Sequence, residues 1–174
     1  MKKWIALALC LVLALSLTAC GEKKAEDTGD LLSQIKEKGE IVVAMEGTWA
    51  PWTYHDEQDN LVGYDVEVAQ LIAEKLGVKA TFVEGEWDGL LAGLDAGRYD
   101  IMVNGVDITE ERQLKYDFST PYAYNRTAVI VKSDDDSIQS MKDLKGKKTA
   151  NTISSTYAEV AEKYGATVTG VDDL

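Results

Sequence analysis

Cysteine and histidine are nearly absent from this chain of 174 residues, which carries two of the first, Cys10 and Cys20, and one of the second, His55. His55 stands in the polar loop HDEQDN with no partner spaced for metal ligation or acid–base work, so neither a metal site nor a cofactor is expected. Basic residues are also few: 18 Lys and Arg against 30 Asp and Glu leave a formal net charge of −12. No basic stripe is available to neutralise phosphates, which excludes nucleic acid as a partner. The one long apolar run, Trp4 to Ala19, falls short of the roughly 20 residues that a comfortable membrane span requires. Aliphatic residues are plentiful, enough for a packed core.

That apolar run follows Lys2-Lys3 and ends Leu17-Thr18-Ala19-Cys20, the layout of a secretory leader. Leu17 to Cys20 resembles the lipobox of bacterial lipoproteins, which implies a signal peptide over residues 1–19, cleavage before Cys20 and lipidation of Cys20. An ordinary signal peptide with a chance cysteine is the plainer reading. Cys10 would leave with the leader, and a chain acylated at Cys20 then has no thiol free for disulfides, metal clusters or catalysis. Loss of Lys2 and Lys3, with no acid before Cys20, would take the net charge from −12 to −14. Gly21 to Asp30 contains no large apolar residue and mixes both charges, so residues 20–30 form a lipidated cysteine and flexible tether.

From Leu31 the chain alternates between strand and helix patterns. Leu31, Leu32 and Ile35 space as a short helix closed by Gly39, and Ile41 to Met45 is apolar throughout, as in a buried strand. Gly63 to Gly77 is the clearest helix, with Asp65 as its cap, Val68, Leu71, Ile72 and Leu76 on one face, and Gly77 as its stop. Strands are predicted over Val78–Val83, Tyr99–Val103 and Thr127–Val131, and a helix over Trp87–Ala96. This alternation predicts an α/β fold whose mostly parallel sheet is covered on both faces. Ligands bind such sheets beyond the carboxyl ends of the strands, where residues 46–54, 84–87 and 104–112 should gather.

The last of these loops, NGVDITEER from Asn104 to Arg112, is the richest in chemistry. Asn104-Gly105 breaks the strand, and Thr109 with Glu110 and Glu111 reads as a helix start, whose free N–H groups suit an anion. Arg112 lies three residues beyond Thr109, placed to take a carboxylate in its guanidinium fork, while Asp107 offers a counter-charge for a cation. Together they could hold both ends of a zwitterion. The alternatives are a hairpin turn at Asn104-Gly105, a backbone cap at Asp107, and a solvated pair of Arg112 with Glu111 or Asp117. Trp49, Trp52, Tyr54 and Trp87 fall in the other two loops, and Trp49 and Trp87 are the candidates to wall a small-molecule cleft.

Ser133 to Lys148 passes from an acidic to a basic, glycine-containing stretch and reads as a boundary between lobes. Beyond it lie a weak strand at Lys148–Asn151, a helix over Ser155–Tyr164 stopped by Gly165, and a strand over Ala166–Val171. Ser155 and Thr156 open that helix and offer a second grip on a carboxylate, or plain N-capping.

From Leu31 onward the chain resembles the bacterial polar amino-acid substrate-binding proteins of ABC importers, family 3. The resemblance rests on GTWAPW, GYDVEVAQLIAEKLG, EWDGLLAGLDAGRYD, NGVDITEER, DFSTPYAY and LKGKKTANTISSTYAEVAEKYGA in that order. Within the family, ISSTYAEVAEKYGATVTGVD is most similar to the cystine-binding branch. The resemblance implies a type II periplasmic-binding-protein-like fold: lobe 1 over residues 31–131, the start of lobe 2 over 132–174, and a hinge near 131–133. It implies ligand contacts from Trp49, Trp87, Asn104, Gly105, Asp107, Arg112, Ser155 and Thr156. It also implies a monomeric, lipid-anchored, extracytoplasmic protein that binds a polar amino acid, cystine favoured, without chemistry and hands it to an ABC permease. Many relatives carry a small or hydroxyl residue at the position of Asp107, and Leu174 is expected to fall inside lobe 2. The same fold also resembles periplasmic dehydratases and ligand-sensing domains, the alternatives to an importer component.

Overall fold

The computed structural model describes residues 30–172; the expected signal peptide, Cys20 and the tether up to Gly29 lie outside the described residues. The chain divides into two units, Met1–Gln34 and Ile35–Leu174. Of the first, Asp30 accepts the Ser33 N–H at 2.9 Å in the manner of an N-cap and opens helix α1 (Leu31–Lys38), which runs on into the second. Leu31 and Leu32 are exposed.

After α1 the order is β1 (Glu40–Met45), β2 (Thr48–Trp49), β3 (Thr53–His55), β4 (Leu61–Val62), α2 (Tyr64–Leu76), β5 (Lys79–Glu84), α3 (Trp87–Asp95), β6 (Ile101–Met102) and α4 (Glu110–Gln113). A 3-10 turn (Met141–Leu144), β7 (Lys148–Asn151), α5 (Thr156–Lys163) and β8 (Thr167–Gly170) complete it. β1 is the centre of a parallel sheet, flanked by β5 and β6, with Val43 opposite both Phe82 and Ile101. Its side chains alternate between two cores. Ile41, Val43 and Met45 pack with Ile35, Val66, Ala69, Ala73 and Val103, whereas Ala44 packs with Leu90 and Tyr99 from the α3 side. The expected parallel sheet, apolar because both faces are covered, is what forms. β7 and β8 pair in parallel around α5 as a separate two-stranded sheet, and β2, β3 and β4 form a small antiparallel meander. No helix of the described residues is long and apolar enough to cross a membrane.

Three expectations are corrected. The strand over Thr127–Val131 does not form, and Ile130 is 95% exposed. An apolar run becomes a strand only beside a partner, and among the described residues no backbone pairs with this one. Leu71 is exposed on α2, whose buried face is instead Val66, Ala69 and Ala73. Small alanines let the helix approach β1 closely, and Val68, Ile72 and Leu76 pack at the margin of that contact.

Asp65 is not the cap of α2 either. Gly63 holds that position at φ 130, where a Cβ would stand 2.2 Å from the Trp52 carbonyl oxygen. The free N–H groups of the first turn are met by the meander: Tyr64 N–H donates to Pro51 O and Asp65 N–H to Trp52 O, each at 3.0 Å. The Asp65 carboxyl is fully buried and has no hydrogen bond of normal geometry among the described residues; burial raises its pKa, opposed in part by the Tyr122 hydroxyl and the Gly105 N–H.

Leu90→Ala, at a 2% exposed site, should cost about 2–5 kcal/mol in chemical denaturation, whereas Leu71→Ala should change stability by no more than about 0.5 kcal/mol. Asp65 holds its proton more tightly in the folded chain than in the unfolded one. Its contribution therefore favours the fold at acidic pH and is lost as pH rises through the folded pKa. The difference in melting temperature between Asp65→Asn and the parent should accordingly shift in favour of the variant between the acidic range and neutrality. A difference independent of pH would refute the assignment.

Candidate functional site

Two loops leave the carboxyl ends of β1 and β6, and a single side chain ties them together. Asn104 is wholly buried; its Oδ1 accepts the Glu46 N–H at 2.8 Å and the Thr53 hydroxyl at 3.3 Å, and its Nδ2 donates to the Glu46 carboxylate at 2.7 Å. Sequence reasoning placed Asn104 against a ligand, but its amide is engaged with the protein and it does not line the cleft. Gly105, the next residue, does. At φ 54 its backbone lies against the Trp49 ring, where a Cβ would stand 2.7 Å from Trp49 Cζ3. Only glycine accommodates both the positive φ and that approach. Behind Trp49 stand Trp52, at 5.8 Å between ring centroids, and then Tyr64, edge-on at 5.6 Å from Trp52. Trp52 thus braces the wall without lining the cleft, and Tyr54 is likewise outside it.

The helix start anticipated at Thr109 is present and aims Arg112. Thr109 Oγ1 accepts the Arg112 N–H at 3.1 Å, the N-cap bond of the single turn α4. Arg112 is 8% exposed, with its guanidinium 5.4 Å from the Trp87 ring centroid, a cation–π contact. Nη1 donates to the Asp107 carbonyl at 3.1 Å and Nη2 to the Ser154 carbonyl at 3.2 Å. Among the described residues the ion pairs are Lys38 with Glu40 and His55 with Asp59 and Glu84; Arg112 is in none of them. The alternative pair with Glu111 or Asp117 is therefore not formed. A buried cation held only by carbonyls and a ring face retains N–H groups and charge to offer a carboxylate.

These residues face the loop between β7 and α5 across a solvent-connected cleft. Trp49, Trp87, Gly105, Asp107, Arg112, Ser155 and Thr156 all line it, so seven of the eight expected ligand contacts come together. Ser155 is committed to capping: its hydroxyl donates to Thr152 O at 2.7 Å and accepts the Ala158 N–H at 3.2 Å. Thr156 Oγ1 donates to Asp107 Oδ2 at 2.5 Å, joining the two sides of the cleft. As the first residues of α5, Thr156 and Tyr157 have N–H groups without intrahelical acceptors, turned to the side that suits negative charge. Trp87 Nε1 is buried and has no hydrogen-bond partner among the described residues.

Thr152 and Tyr157, which sequence reasoning missed, also line the cleft, as does Glu46, which lies in the expected 46–54 loop but was not named as a ligand contact. Glu46 and Thr152 are the first residues past β1 and β7, where a ligand edge is expected, and that position was their one available signal. Burial, with the nearby Asp107 charge, raises the pKa of Tyr157, so it is a neutral hydroxyl there. His55 lies apart from the cleft, with Nε2 2.8 Å from Glu84 Oε2, and that carboxylate raises its pKa.

Residues 41–168 match the family model of bacterial extracellular solute-binding proteins, family 3. The chain is 43% identical to the L-cystine-binding protein TcyA of Bacillus subtilis, in an alignment covering 100% of this chain and 67% of the relative. Among solved structures, an ancestral arginine-binding protein bound to glutamine superposes with a TM-score of 0.74 at 40% identity, over 78% of this chain and 61% of that one. The L-cystine solute receptor of Neisseria gonorrhoeae, in its unliganded open conformation, gives a TM-score of 0.51 at 43% identity, over 84% and 62% of the two chains. The chain thus spans 61–67% of the length of these relatives. The fold is that of the type II periplasmic amino-acid-binding proteins. By its family match and by these identities, the chain belongs to the bacterial extracellular solute-binding proteins of family 3.

Proposed function

We propose that this chain is the capture component of an ABC importer for a polar amino acid, with cystine the favoured ligand. The observation that carries the reading is Arg112: a buried guanidinium seated on Trp87, in no ion pair among the described residues, facing the first turn of a second helix across an aromatic-walled cleft. A free α-carboxylate fits that place, with Arg112 as its bidentate partner and the Thr156 and Tyr157 N–H groups as further donors. The α-ammonium then lies toward Asp107, and the side chain packs between Trp49 and Trp87. Asn104 serves this arrangement by positioning the loop, and Ser155 by capping the helix that presents Thr156.

Cystine is favoured because TcyA and the gonococcal receptor are both described as cystine proteins. On this reading the ligand is bound and released without turnover, as in relatives described as binding proteins. The two halves, residues 31–131 and 132–174, act as lobes that close about residues 131–133, and a membrane permease accepts the ligand from the closed, monomeric protein. Leu17-Thr18-Ala19-Cys20 supports a lipid anchor on the outer side of the cell membrane, through Cys20 after removal of residues 1–19.

The deciding experiment is calorimetric titration of L-cystine into the purified protein, with arginine, glutamine and glutamate as comparisons. Saturable binding of one amino acid, recovered unchanged, is the expected result; consumption of a ligand or no binding by any would overturn the reading. Arg112→Ala should then weaken binding by about 2–4 kcal/mol, the range for truncating one partner of a buried charge pair. Cys20→Ser should move the protein from the membrane to the soluble fraction with its affinity intact, and a variant still in the membrane fraction would exclude Cys20 as the anchor.

A further inference from the structure

Ser154 is gripped from two sides by residues far away in sequence, and one of them takes no part in the cleft. Its carbonyl accepts from Arg112 Nη2 at 3.2 Å. Its hydroxyl and, at 3.4 Å, its N–H both donate to the same oxygen, Oδ1 of Asp88. Asp88 is the second residue of α3, directly after the cleft residue Trp87, yet neither Asp88 nor Ser154 lines the cleft. The loop Thr152–Thr156 is therefore fastened to the first α/β layer by three ties: Asp88 to Ser154, Arg112 to Ser154, and Asp107 to Thr156.

These ties differ in kind. On the reading above, on which this inference rests, Arg112 and Asp107 exchange their protein partners for, or share them with, the ends of a ligand. Asp88 has no such competitor, so a ligand entering the cleft leaves its bond to Ser154 intact. We propose that Asp88 is a positioning residue that latches the Ser154 loop over the cleft, holding the α5 N-terminus opposite Arg112 and slowing escape of a bound amino acid. The acceptor is ionised and the donors are a hydroxyl and a main-chain N–H, so the bond is charge-assisted. Because both residues are exposed, the bond also remains easily broken, as a site that must give up its ligand requires.

Two measurements test the latch. Hydrogen exchange needs no ligand: the amides of residues 152–158 should exchange faster in Asp88→Ala than in the parent, while those of β1 keep their rates. Stopped-flow tryptophan fluorescence with L-cystine should show dissociation accelerated about three- to tenfold in Asp88→Ala and in Ser154→Ala, with association nearly unchanged. The double variant should be no faster than the worse single one, because both remove the same bond. Asp88→Asn, which keeps an acceptor oxygen, should lie between Asp88→Ala and the parent. Unchanged exchange at 152–158 in Asp88→Ala overturns the latch, as does a general loss of stability with an unchanged dissociation rate, which would mark Asp88 as merely part of the α3 first turn. Failure of the transport reading is visible separately, in a parent protein that binds none of the four amino acids.

Discussion

Asn104 carries its amide, wholly buried, between the loops that leave β1 and β6, and the positions of the cleft walls follow from that one side chain. Parallel strands end at a common edge, but nothing in strand pairing fixes how the loops beyond them lie. Asn104 supplies that constraint by meeting the Glu46 N–H, the Glu46 carboxylate and the Thr53 hydroxyl at once. The bonds are short-range and directional, and each group left unmatched in the interior would cost about 1–3 kcal/mol. Thr53 extends the tie by accepting the Gly47 N–H at 3.0 Å, which sets the path of the chain into Trp49. With Asn104 fixed, Gly105 must lie beneath the Trp49 ring, and the chain beyond it brings the Asp107 carbonyl within reach of Arg112.

A buried guanidinium is expensive unless its charge and its donors are matched. Two backbone carbonyls and the face of Trp87 match Arg112 in part, through dipoles and a quadrupole rather than a full opposite charge. Asp107 accepts from Thr156 across the cleft and, among the described residues, forms no ion pair with Arg112. The walls thus keep opposite charges apart instead of letting them neutralise one another. On the proposed reading, a zwitterion would meet such a site with each of its ends.

The elements that could be read from sequence were those whose cause is local. Ile41–Met45 announced a strand covered on both faces because it contains no polar residue, and Thr109 announced the turn that aims Arg112 because an N-cap acts over three residues. Trp49 and Trp87 were legible from their place in loops at the strand ends. What sequence did not reveal depends on partners distant along the chain. Asn104 and Gly105 are adjacent, yet one points into the protein and the other floors the cleft, a difference set by Glu46 and Trp49. Ser155 was legible as a cap or a ligand contact, and its bonds to Thr152 and Ala158 are those of a cap. Thr127–Val131 has the composition of a strand, but strand formation is a property of two segments, and composition reports only one.

The chain superposes better on a glutamine-bound relative than on an open, unliganded one, although the open one is slightly more identical to it. The poorer fit therefore does not follow the sequence identity. The direct bonds of Arg112 and Asp107 to Ser154 and Thr156 are what a closed cleft would contain. Each is a single hydrogen bond, worth about 0.5–1.5 kcal/mol net or somewhat more where a charge takes part. Closure resting on a few such bonds shifts by factors of ten for each 1.4 kcal/mol or so that a ligand adds. On the proposed reading, a cleft balanced in this way would be driven shut by a ligand's two charged ends and reopened when a partner competes for the same surfaces.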